Sequence, residues 1–164
     1  YWNGAVWMPY QWMFFKSALD AGLADFAYRI ADTVLTLWQN ECAESYCCFE
    51  HFMIESRRGA GWHQFSGLSS PIVQLFSAYY RPGTLTTGFD AFVRHTDWAP
   101  DNSALNATLD FTAAGRSTVL AVLQPGPKAV TASVPCTVAT RHDGLLELTF
   151  ALDAPCTVTI SIHS

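Results

Sequence analysis

Positive charge is scarce in this sequence and nowhere gathered. Lysine and arginine together number 9 of 164 residues against 14 acidic ones, a net charge of −5, and Arg57-Arg58 is the densest basic pair. A nucleic-acid partner needs a basic patch to neutralise phosphates, so this balance argues against one. No apolar run approaches the roughly 20 residues that cross a bilayer, and the longest near the start is broken by Pro9 and Gln11. No membrane partner is expected. The five cysteines, Cys42, Cys47, Cys48, Cys136 and Cys156, are an odd count without zinc-type spacing. Adjacent Cys47 and Cys48 could not both ligate one tetrahedral metal without strain, so no metal site is expected. Buried reduced thiols are expected instead, which slightly favours a cytoplasmic setting. Cys136 and Cys156 fall on two expected strands and could pair if those strands were neighbours. Internal repeats and low-complexity stretches are also missing. The sequence opens with neither an initiating methionine nor a signal-peptide pattern, and Tyr1 already lies inside what reads as a working motif. A fragment or processed piece of a longer chain is therefore expected.

What is present is an ordinary globular composition, half apolar and 14% charged, enough for one sizeable core or two small ones. Its character changes near residue 95. Pro9 suits a first helical turn, and Trp12, Phe15, Lys16, Leu19 and Leu23 recur every three or four residues up to Gly22. A second helix is expected over 24–45, with Leu23, Phe26, Ala27, Ile30, Val34, Leu37 and Trp38 as its apolar stripe. The short link at Gly22 predicts an antiparallel helical hairpin. Residues 46–70 read as a loop carrying Gly59, Gly61 and Gly67. Ser70-Pro71 then starts a third helix that Arg81-Pro82-Gly83 stops near Tyr80, and a short helix is expected over 88–93. Residues 95–102 read as a linker. Beyond it, 104–111, 118–123, 130–139, 145–152 and 156–162 alternate or are β-branched, with Asp143-Gly144 as a hairpin turn. The expected fold is α then β, with helices over 1–94 and a small antiparallel β-sandwich over 103–164.

Chemistry concentrates in two places. The first is Tyr1-Trp2-Asn3-Gly4-Ala5-Val6-Trp7-Met8-Pro9-Tyr10-Gln11, where rings alternate with amide and backbone hydrogen-bonding groups. A polyhydroxylated ring needs such a setting: flat apolar faces for its C–H groups and polar groups to fix its orientation. The second is the loop Phe49-Glu50-His51-Phe52, a glycine turn, then Trp62-His63-Gln64-Phe65 before a helix start. Loops on a rigid helical scaffold are where catalytic groups tend to sit.

The order Tyr-Trp-Asn-Gly-x-Val-Trp-x-Pro-x-Gln, then Glu followed by an aromatic, then Gly-x-Gly with Gln-Phe and Ser resembles the C-terminal part of the helical-toroid glycoside hydrolases. These include trehalases, processing α-glucosidases and mannosylglycerate hydrolases. The likeness spans about residues 1–93. It implies a partial (α/α) toroid, hydrolysis with inversion and no cofactor. Carried over by position, it makes Glu50 the general base. Tyr1, Trp2, Gly4 and Trp7 become the wall of the innermost sugar subsite, and Trp62, His63, Gln64 and Phe65 the loop that closes over it. The general acid of such enzymes is an Asp upstream of the opening tract, so a carbohydrate substrate and a missing upstream segment, or another chain, are the implied partners. Phe65-Ser66-Gly67-Leu68 departs from the family's usual Phe-Gly-Trp, and Asn3 stands where several relatives have Arg.

A lone glutamate at a helix–loop junction is more often a solvated charge, and His63 is as readily a packed, hydrogen-bonded side chain. Glu55, five residues on, has no motif around it. Two alternatives stand beside the hydrolase. A phosphorylase or lyase on the same scaffold would gather Arg57, Arg58 and His63 about an anion. A non-catalytic sugar-binding or structural module would leave Glu50 without a role.

Overall fold

The computed structural model describes residues 4–164. It separates into two compact units: one holds the residues up to Phe15 together with Asp25–Phe76, the other Lys16–Ala24 together with Ser77–Ser164. Among the described residues the expected partial toroid is not seen: helix makes up 30% and strand 39%, with three antiparallel sheets and no ring of helices. Only the order, helices before the main strands, holds. The physical reason is that too few segments remain helical. Residues 46–65 fold back as short strands, and from Thr84 onward β-branched, alternating sequence pairs into sheets.

β1 (Ala5–Val6) leads into α1 (Met8–Asp20), of which the part through Phe15 belongs to the first unit, and α2 (Ala24–Ser45) follows. Pro9 lies in the first turn of α1, where its missing N–H has no helical acceptor to lose. On α2 the buried positions are Ala27, Ala31, Val34 and Glu41, one face at helical spacing that ends on a carboxylate. Beyond α2 come β2 (His51–Met53), β3 (Gly59–Ala60), α3 (Ser66–Ser69) and α4 (Pro71–Tyr80). β1, β2 and β3 form one antiparallel sheet with β2 central. Strands of two or three residues are too short to leave an alternating pattern, so this region reads as loop in the sequence.

In the second unit, α1 ends on a glycine cap. Leu23 N–H bonds Ala18 O and Gly22 N–H bonds Leu19 O, at 2.8 and 3.0 Å, with Gly22 at φ +67°. The strands are β4 (Thr84–Thr86), β5 (Ala91–Trp98), β6 (Leu105–Phe111), β7 (Gly115–Val122), β8 (Ala129–Ala132), β9 (Cys136–His142), β10 (Leu145–Leu152) and β11 (Cys156–His163). They form two four-stranded antiparallel sheets, ordered β4-β7-β10-β9 and β5-β6-β11-β8. A shared core fills the space between them, built from inward residues such as Leu109, Val119, Leu148, Phe150, Val158 and Ile160. The Phe111 and Phe150 rings meet there at 5.4 Å.

The two sheets differ on their outer faces. On β7 and β10 the outward Thr118, Leu120, Val122, Leu145 and Glu147 are as buried as the inward set, which explains the near-continuous apolar runs there. Buried Glu147 is paired with Arg141 across β9–β10. On β6 and β11 the outward residues Asn106, Thr157 and Thr159 are polar, and Asn106, Thr157 and Thr159 are exposed. The expected helix over 88–93 does not form: 88–90 are an irregular bend and Ala91, Phe92 and Val93 open β5, where they find pairing partners on β6. The expected strand over 130–139 breaks at Ser133-Val134-Pro135, and its halves join different sheets. Proline offers no N–H to a ladder and so marks the break. Residues 95–98 complete β5, with Trp98 packed against the sandwich core. Cys136 and Cys156 lie on strands of different sheets, and all five thiols are free.

Asp20 ties the end of α1 to the segment before β5. Its carboxylate accepts Phe89 N–H at 2.8 Å and Asp90 N–H at 3.0 Å, and a Cβ on Gly88 would lie 1.7 Å from its Oδ1. Asp20→Ala leaves two backbone donors without that acceptor. A loss of about 1–3 kcal/mol is expected, measured by urea unfolding; an unchanged midpoint would contradict the assignment.

Candidate functional site

The site lies within the first unit, where two stretches of chain run side by side. Glu50 N–H donates to Trp62 O at 3.0 Å, and Phe65 N–H donates to Cys48 O at 2.9 Å. Cys48 and Gln64 form a parallel bridge. Ser69, in α3, donates its hydroxyl to Phe49 O at 3.2 Å. Residues 48–50 and 62–65, the two ends of the loop that the sequence singles out, are thereby brought together.

Glu50 is half-buried. Its Oε2 accepts the Trp62 N–H at 3.2 Å, so the same residue that bonds its backbone also holds its carboxylate. Gly61 makes this contact possible on two counts. Its φ is +76°, a conformation glycine adopts without strain, and a Cβ there would lie 2.4 Å from Glu50 Oε2 and 2.9 Å from His51 Cε1. Gly59 fills a similar part, since a Cβ on it would lie 2.0 Å from the Phe49 ring. The Gly-x-Gly spacing thus seats Phe49 on one glycine and Glu50 on the other.

The remaining expected residues divide into three groups. Trp62, His63, Gln64 and Phe65 are all exposed, and the Trp62 and His63 rings stack at 5.9 Å and 22°. Trp62 is 63% exposed, a broad apolar face turned to solvent beside Glu50's anchoring bond. Trp7 meets His51 in a tilted ring contact at 4.8 Å, and both residues are buried, so Trp7 does not line an open surface. Gly4 precedes Ala5, which pairs with Met53. At a strand rise of about 3.3 Å per residue that register places it more than about 10 Å from Glu50 along β2. The structure therefore does not bring Gly4 to the carboxylate. Tyr1 and Trp2 lie outside the described residues. Glu55 is exposed at the turn between β2 and β3, away from the Trp62 stretch.

One functional candidate escapes the sequence reading. Glu41, near the end of α2, is 3% exposed. Its oxygens accept Arg58 Nε at 2.7 Å, Arg58 Nη2 at 3.1 Å and Gly59 N–H at 2.8 Å. Arg58 Nη1 reaches Glu44 at 2.6 Å. The Glu41 carboxyl is lowered from 4.5 to about 2, chiefly because Arg58 hydrogen-bonds its charged form; burial opposes this and the Gly59 N–H assists it. A signal was available in the sequence: Glu41 falls in phase with Ala27, Ala31 and Val34, and a carboxylate on a buried stripe requires a charged partner. Among the described residues no group of three or more His, Cys, Asp or Glu is placed to hold a metal, and no helix is long and apolar enough to cross a membrane.

Two outcomes are expected. Gly61→Ala pushes against Glu50 and forces a strained φ, costing about 1–3 kcal/mol, whereas Gly67→Ala, with nothing within 4 Å of its Cβ, serves as control; equal unfolding midpoints would contradict this. The stability advantage of wild type over Glu41→Gln is expected in full above pH 4.5, falling away as the pH drops to about 2, where Glu41 itself takes up a proton. Acid titration of both proteins by circular dichroism checks it; a gap that ignores this window would contradict the assignment.

Set against protein-family models, curated proteins and solved structures, the chain matches none of them.

Proposed function

We propose that this chain supplies the general base and part of the sugar-binding wall of a glycoside hydrolase that acts with inversion. The observation that carries the proposal is a half-buried carboxylate, Glu50, fixed by the N–H of an exposed indole-bearing residue, Trp62. In this reading Glu50 takes a proton from a water whose oxygen attacks the anomeric carbon. The sugar's C–H face rests on the Trp62 ring, with Gln64 and His63 as hydrogen-bonding groups nearby. A protonated carboxyl about 6.5–9.5 Å away must donate to the leaving oxygen. An upstream segment or another chain supplies that acid in this proposal. The first unit has surface suited to further chain: an open apolar groove lined by Val6, Phe26, Ile30 and Leu37, with Met13 and Phe14 more than half exposed. The chemistry uses carboxylates and water and calls for no cofactor.

The phosphorylase alternative is less favoured by the same geometry. Arg58, one of the groups it would turn toward an anion, is committed to Glu41 and Glu44.

Glu50→Gln in the full-length protein tests the proposal. On a panel of glucosides and mannosides, followed by release of reducing sugar, the variant is expected to lose about 10²–10⁴-fold in kcat while still binding the sugar by calorimetry. Unchanged turnover would remove Glu50 from the chemistry. Binding by wild type with no turnover of any glycoside would leave a sugar-binding module.

A further inference from the structure

An ion pair between buried Glu41 and half-exposed Arg58, outside the proposed site, is joined to it through four consecutive residues. Glu41 lies near the C-terminal end of α2 and grips Arg58 through two side-chain bonds and Gly59 through its backbone N–H. Gly59 opens β3, which is paired to β2 with Gly59 opposite Phe52 and Ala60 opposite His51. One residue beyond β3, Gly61 turns the chain at positive φ. The next, Trp62, gives its N–H to Glu50 Oε2 and receives the N–H of Glu50 on its carbonyl. β3 has only two residues and its pairing with β2 amounts to two residue pairs. So short a strand is weakly held by its own ladder. The Glu41 carboxylate adds three hydrogen bonds at its start, two of them between charged groups, the stronger kind.

We infer that Glu41 is a positioning residue for Glu50: by fixing Arg58 and Gly59 it sets where the Trp62 N–H stands, and so the orientation of the Glu50 carboxylate. Glu41 itself does not touch the substrate. Charge is essential to this part, because a glutamine in its place turns one acceptor into a donor that faces Arg58 or Gly59 N–H. Arg58 is required for its planar fork, which a lysine cannot reproduce. This inference rests on the proposed role of Glu50 for its catalytic consequence, but its structural half can be read without any substrate.

The test compares Glu41→Gln and Arg58→Lys with wild type in the full-length protein. Amide hydrogen exchange, resolved by NMR, is expected to quicken at least tenfold at Glu50 and Trp62 in both variants. Ala31 and Val34 in α2 and Leu148 in the sandwich are expected to change less than twofold. Unaltered exchange at Glu50 and Trp62, or a rise of equal size at all five, overturns the inference, the second outcome because it marks a general loss of stability. The kinetic half uses whichever glycoside of the glucoside and mannoside panel wild type cleaves. Both variants are expected to lower kcat at least tenfold with KM within twofold, since the base is misaligned while the exposed rings remain. Full kcat despite faster exchange overturns the positioning role. If Glu50→Gln leaves turnover intact, the hydrolase proposal fails by itself, and the exchange pattern still decides whether Glu41 orders the Glu50–Trp62 contact.

Discussion

The bond from Trp62 N–H to Glu50 Oε2 is the constraint on which the first unit's organisation as a site depends. It holds one oxygen of a half-buried carboxylate, and it does so from a residue whose own ring is largely exposed. Several features serve it. Gly61 leaves room for the oxygen, the Cys48–Gln64 bridge keeps the two stretches parallel, and Ser69 holds Phe49 from the following helix. Each is modest alone. Together they convert irregular chain into a defined geometry, as a positioned catalytic or binding group requires.

The second unit is built on another principle. Its sheets are held by a filled apolar layer, and no polar network is needed to define them. Ionic contacts there, such as Glu147 with Arg141, replace solvent for a buried carboxylate and are not the source of the fold. The first unit adds to its buried apolar residues, such as Trp7, Phe15, Phe52 and Leu75, directed bonds made by Glu41 and Glu50.

Long elements with a repeating pattern were legible in the sequence. α1, α2 and α4 follow from three- and four-residue periodicity with glycine or proline at their ends, and β6, β7, β10 and β11 from β-branched or alternating runs. β1, β2 and β3 were not, because two or three residues carry no period. β5 is not legible, since 88–93 read as a short helix and 95–102 as linker, whereas the strand's identity comes from its partner β6, a tertiary effect that local propensity does not register. The toroid failed because short motifs around Glu50 speak to local arrangement and not to the packing of the whole chain. Of the candidate site, Glu50 and Trp62 through Phe65 stand out in the sequence by the density of rings and polar groups, and the structure brings the two stretches together. Glu41 is inconspicuous in a helical stripe whose other buried members are apolar, and Trp7 is buried against His51.

The stereochemistry of the first-formed product tests the central claim most directly. Proton NMR of the full-length protein acting on a glycoside of known anomeric configuration resolves the sugar released before it mutarotates. The account predicts the opposite anomer, since a water activated by Glu50 attacks the face away from the leaving group. Release of the same anomer would demand a covalent intermediate and contradict the role given to Glu50.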